Sequence, residues 1–160
     1  MKRRLGGIVL ISALLLSGAA QAAPATIGGE PALAFAAFVG AYSPSLTAAQ
    51  KRVLRRFLAG ETSFTSSSAS ISFQIAAVHC LKGDVELQEH SCQITYGSQV
   101  TALKGEEGAA ITAVMATGGV FADGAAGTIH YDMTDVTCTL NVAELKSPDG
   151  GGASCSYTAQ

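Results

Sequence analysis

The sequence predicts an α+β fold: an N-terminal αα-hairpin, then a mainly antiparallel five-stranded sheet crossed by one helix, in the order ααβββαββ. Three observations carry this expectation. Apolar residues recur at helical spacing between Pro31 and Ala59. From Ile71 onward the spacing changes to two, as in half-buried strands. The four cysteines fall into two groups, Cys80 with Cys92 and Cys138 with Cys155, each bracketing a turn-bearing segment.

The N-terminus is read apart from the fold. Met1-Lys2-Arg3-Arg4 is a positive start, and Leu5 to Leu16 is an apolar run of signal-peptide length. Ala20-Gln21-Ala22 places small residues where a signal peptidase reads them, so residues 1–22 are expected to be a cleaved signal peptide. No cysteine follows the apolar run to accept a lipid. A short signal, the absence of an N-x-S/T sequon and a charged fraction of 14% suit a bacterial periplasm, with secretion to the medium as the alternative. Cleavage removes three of the ten basic residues and none of the twelve acidic ones, leaving a net charge of −5. A nucleic-acid binder needs a basic footprint, so that class is set aside.

Residues 23–30 (APATIGGE) read as a flexible leader. Pro31 to Tyr42 is apolar nearly all round and starts with a proline that suits a first helical turn. Thr47 and Gln50 form a capping box for a second helix running to Ala59, with Gly60 as its stop. Ala49, Val53, Leu54, Phe57 and Leu58 form its apolar stripe. Residues 31–60 are thus an αα-hairpin, 61–70 a polar linker, and 71–160 a disulfide-braced body forming one domain with the hairpin.

In the body, Ile71, Phe73 and Ile75 alternate with polar residues, and Ser91 to Tyr96 returns antiparallel. Gly97-Ser98 is a two-residue turn into a third strand, Gln99 to Leu103. Glu106 and Glu107 suit the first turn of a helix whose close-packing face is Ala110, Ile111, Val114 and Met115. Between Thr128 and Leu140 the apolar parity slips from odd (Ile129, Tyr131, Met133) to even (Val136, Cys138, Leu140). A bulge near Thr134-Asp135 accounts for this. Ala153 to Thr158 is the last strand.

VHCLKGDVELQEHSC, residues 78–92, gathers two cysteines and two histidines. If Cys80 stands opposite Cys92, then Val78 faces Ile94 and Ala76 faces Tyr96, so the cystine and hydrophobic registers agree. His79 then projects from the other face, which scatters a four-ligand zinc set. Cys138 opposite Cys155 sets Val136 against Tyr157 in the same manner. Four cysteines allow three connectivities; in an exported chain the two hairpin clasps are expected, and pairings that cross hairpins are the alternatives. No C-x-x-C, G-x-S-x-G, P-loop or dinucleotide motif is present. No cofactor or metal is expected, and no catalytic set is assembled.

Two features have functional colour. His130 and Asp132 share one strand face, but i and i+2 side chains are too far apart for a tight acid–base pair without a third group. A solvent-facing strand edge explains them as well. Lys51, Arg52, Arg55 and Arg56 crowd one helix face, while the chain from residue 23 on, without 47–60, carries −9. This face docks on the acidic body, stands in solvent, or meets anionic lipid or an acidic partner. The function expected is a non-catalytic exported module binding an envelope protein or a small ligand. The alternatives are a small exported hydrolase using His130, Asp132 and a distant residue, and a peripheral membrane-surface protein acting through helix 47–59. The signal-peptide reading predicts that protein recovered from the envelope begins at Ala23 by N-terminal sequencing; a chain still beginning at Met1 counts against it.

Overall fold

The structure is a computed structural model that describes residues 24–61, 70–83, 90–117, 122–123, 128–143 and 152–159. The expected signal peptide and most of the polar linker lie outside the described residues. In chain order the elements are β1 (Pro24–Gly28), α1 (Gly29–Gly40), α2 (Ala48–Leu58), β2 (Ser70–Gly83), β3 (Ser91–Tyr96), β4 (Gln99–Lys104), α3 (Gly105–Thr117), β5 (Ala122–Asp123), β6 (Thr128–Asn141) and β7 (Ala153–Ala159). The α+β class is as the sequence predicts.

All strand pairs are antiparallel, in the order β1-β7-β6-β2-β3-β4, with the two-residue β5 beside β6. Among the described residues two strands are present beyond the five expected. One is β5. The other is β1, formed by residues read from the sequence as a flexible leader. Ile27 accounts for it: the one large apolar side chain of that stretch is buried opposite Cys155, and β7 offers its free edge to the chain carrying it.

The bulge expected in β6 is present, and its effect extends beyond β6. Against β7, the register shifts by one between Thr134 and Thr137, and Asp135 adopts a left-handed φ of 52°. Against β2, Ala76 and Asp135 drop out together, so that strand pair turns over as a unit. On one side of the break Ile71, Phe73 and Ile75 lie opposite Leu140, Cys138 and Val136, all buried. On the other side Val78 and Cys80, of opposite parity, lie opposite Met133 and Tyr131, also buried.

The helices cover this buried face. Both cystines form, Cys80–Cys92 and Cys138–Cys155, and all four sulfur-bearing residues are fully buried beneath the helices. The Cys80 Sγ lies 3.6 Å from the Met115 Sδ, and the Cys92 Sγ lies 3.6 Å from the Gly108 carbonyl oxygen, both on α3. The Cys155 Sγ lies 3.9 Å from the carbonyl oxygen of Ala32 on α1. Each hairpin clasp is therefore also the floor for one helix.

Helix α2 stands farther out, packed on α1. Its capping box is complete: the Gln50 N–H donates to the Thr47 Oγ1 at 3.2 Å and the Thr47 N–H donates to the Gln50 Oε1 at 2.9 Å. Of the expected stripe, Val53 and Leu54 are buried and Phe57 half-buried, whereas Ala49 and Leu58 are exposed. A helix resting on one neighbour buries a narrower strip than one seated on a sheet. Tyr96 ties the sheet to the end of α1 by donating to the Val39 carbonyl, a terminal helix acceptor that also takes the Tyr42 N–H.

The small residues of α3 set its closeness to the sheet. A Cβ added at Gly108 would come within 2.8 Å of the His90 carbonyl oxygen and 3.1 Å of the Leu103 carbonyl oxygen. Backbone cannot turn aside as a side chain can. Replacing glycine by alanine gains about 1 kcal/mol of helix propensity, but overpacking of this kind costs about 1–3 kcal/mol. Gly108→Ala is thus expected to lower stability by up to about 2 kcal/mol in denaturant unfolding. A stabilised variant would mean that α3 does not sit this close.

Candidate functional site

The break at Ala76 and Asp135 decides what reaches the open face of the sheet. Had β2 kept its parity, His79 would share a face with Ile71, Phe73 and Ile75 and point beneath the helices. The slip sends Cys80 inward and His79 outward. It acts likewise on β6, where Tyr131 and Met133 are buried while His130 and Asp132 stand half-buried on the outer face.

The β2–β6 register then places His79 directly opposite Asp132, with His130 two residues away along β6. The His79 Nδ1 and the Asp132 Oδ1 are in direct hydrogen-bond contact, with the two side chains 44% and 31% exposed. The His79 and His130 rings lie edge to face, centroids 5.7 Å apart and planes at 63°. One donor atom from each of His79, His130 and Asp132 lies within 4.8 Å of the other two. This is the third group that the His130–Asp132 pair needs. The cluster also lies on an inner strand: β6 is flanked by β2 on one side and by β5 and β7 on the other, so the strand-edge reading does not hold.

Imidazole and carboxylate in contact suit proton transfer, ion pairing or metal ligation. Hydrolysis would need a concave site around them. Two neighbouring cavities, of about 360 and 520 Å³, share Gln74 and Gly97 and lie at the strand break and beside Ser43 and Tyr96, and none of the three cluster residues lines either one. Three of the four tyrosines have raised phenols. Burial pushes the Tyr96 and Tyr157 phenols above their ordinary value. The hydrogen bond that Tyr42 donates to the Glu107 Oε1 at 2.9 Å raises its phenol as well. All three are neutral at physiological pH.

The remaining sequence-selected residues lie elsewhere. The cysteines are structural. On α2, Arg52 and Arg55 are exposed and Lys51 and Arg56 half-buried. The Arg56 Nε meets the Glu61 Oε2 at 2.7 Å, a partner just past the end of the same helix. Lys51, Arg52 and Arg55 form no ion pair with any described residue. Among the described residues, the large apolar side chains that reach solvent, Tyr42, Leu58, Val100 and Ile129, stand on separate parts of the chain, not on one element.

These features define a small α+β protein with a two-histidine, one-aspartate cluster on the open face of its sheet. No family model matches the chain, and no curated protein or solved structure matches it.

The cluster's partial exposure sets its expected weight in folding. Ion pairs this open contribute about 0–1 kcal/mol. His130→Ala and Asp132→Asn are each expected to shift unfolding stability by less than about 1 kcal/mol. A loss of several kcal/mol, measured by urea unfolding, would make the cluster a structural fixture.

Proposed function

We propose that this chain is an exported, non-catalytic binding module that engages an envelope protein through the open face of its sheet. One observation carries this reading: among the described residues α1 and α3 cover one face only, and side chains on the opposite face of the cystine-braced sheet reach solvent, with the His79–His130–Asp132 cluster among them. A stiff exposed surface loses little conformational entropy on binding. The polar character of that face, with Gln74, Gln93, Thr139, Ser154 and Ser156 exposed, suits a wet and reversible contact. Periplasmic residence is part of the proposal. Its support is the apolar N-terminal segment together with two disulfides of the kind that persist in an oxidising compartment.

A second reading rests on α2, where Lys51, Arg52 and Arg55 present charge that no described residue neutralises. It makes the protein a visitor to anionic membrane surfaces. One experiment separates the two. A photo-cross-linking residue is placed at Gln93 or Thr139 on the open face, and at Arg52 on α2, in the native envelope. Defined protein adducts from Gln93 and Thr139, with none from Arg52, are expected. Adducts from Arg52 alone, or salt-sensitive sedimentation with anionic vesicles and no open-face adduct, would transfer the function to α2.

A further inference from the structure

We propose that His79, His130 and Asp132 bind one divalent late first-row transition ion, of the Cu(II), Ni(II) and Zn(II) class. The inference rests on the open sheet face being the functional one, and it gives that face an inorganic ligand. Two imidazoles and one carboxylate are the donor set that such ions prefer, whereas calcium and magnesium require oxygen ligands.

The distances suit an ion. Donors bound to one centre at about 2.0–2.2 Å lie roughly 3–4.3 Å from one another. The three donors here fall within 4.8 Å of one another before any side chain turns. The direct His79–Asp132 contact is closer than two ligands of one ion would be, so binding opens it and the ion takes its place between the two groups. A half-exposed ion pair is readily given up. Because the ligands approach from the sheet, the solvent side of the ion stays open to water or to a further donor.

The supports are rigid. His79 precedes buried Cys80, which is bonded to Cys92, and buried Tyr131 separates His130 from Asp132. All three ligands therefore stand on the two central strands, held from beneath. A purely structural role explains less. The pair between His79 and Asp132 is complete in itself and leaves His130 without a reason to sit edge-on to the same ring. An acidic chain also favours capture of a cation.

The test uses the oxidised protein, freed of metal by chelation and dialysis, titrated calorimetrically with Ni(II) and Zn(II). One ion per chain is expected. His79→Ala, His130→Ala and Asp132→Asn should each weaken binding by tenfold or more. His90→Ala should leave it unchanged, since His90 lies outside the cluster. Ni(II) should broaden the ring proton signals of His79 and His130 in NMR spectra and spare those of His90. Circular dichroism of each variant checks that lost affinity is not lost structure. Binding weaker than about 1 mM, or binding that survives all three substitutions, overturns the proposal. Loss of the ion with the Gln93 and Thr139 adducts retained removes the metal and leaves the binding module. Metal binding without those adducts removes the protein partner and leaves the metal site.

Discussion

Antiparallel pairing of β2 with β6 sets which side chains face the helices and which face solvent, and most of the molecule takes its position from it. The two strands pair from Ser70 against Asn141 to Gly83 against Thr128, joining two hairpins that are distant in the chain. β3 and β4 extend the sheet from β2, while β7 and β1 extend it from β6. The joint break at Ala76 and Asp135 reverses the facing of both strands at once. Strand continuity is kept because both chains give up one residue at the same level. The reversal keeps the buried face apolar along its length, and it also turns three polar, metal-competent side chains outward on the far half. A single structural event thus serves the core on one face and the cluster on the other.

The cystines and the small residues share the work on the buried face. A cross-strand cystine lies low and leaves room for a helix to approach. Gly108 and Ala32 are the points where α3 and α1 make use of it, each bringing a backbone carbonyl within 4 Å of a cysteine sulfur. Larger residues there would lift the helices and open voids around Ile111, Met115, Phe35 and Ala36, which are now buried. Small residues on the buried sides of α1 and α3, among them Ala32, Ala36 and Gly108, permit this thin layering.

Much of the local architecture was legible from residue spacing. The Thr47–Gln50 box, the Gly97-Ser98 turn, both cystine registers and the parity slip of β6 all depend on neighbours in sequence or on a single hairpin, where side-chain period and turn chemistry suffice. Two things were not legible. β1 rests on one isoleucine, too little for any periodicity, and forms because β7 has an edge to offer. The His79 neighbourhood depends on β2 meeting β6, which no turn connects; β3, β4, α3 and β5 intervene. Hence residue spacing pairs His130 with Asp132 and sends His79 to the far face of its hairpin, without the link between them. The signal lies in the blocks Ile71-x-Phe73-x-Ile75 and Val136-x-Cys138-x-Leu140, with a change of parity after the first block and before the second. Read jointly, they specify one antiparallel register and put His79 opposite Asp132.

The same register governs oxidation. Cys138 lies opposite Phe73, seven residues along β2 from Cys80, so the cysteines of different hairpins stand about 23 Å apart along the assembled sheet. No disulfide spans such a gap. A scrambled bridge belongs only to a chain that has yet to join β2 to β6, and it would hold those strands out of line. Correct thiol pairing, by contrast, needs only the closure of loops with sequence separations of 12 and 17. The joined sheet is therefore compatible only with chains whose hairpins closed on themselves, so the strand register and the disulfide pairing specify one another.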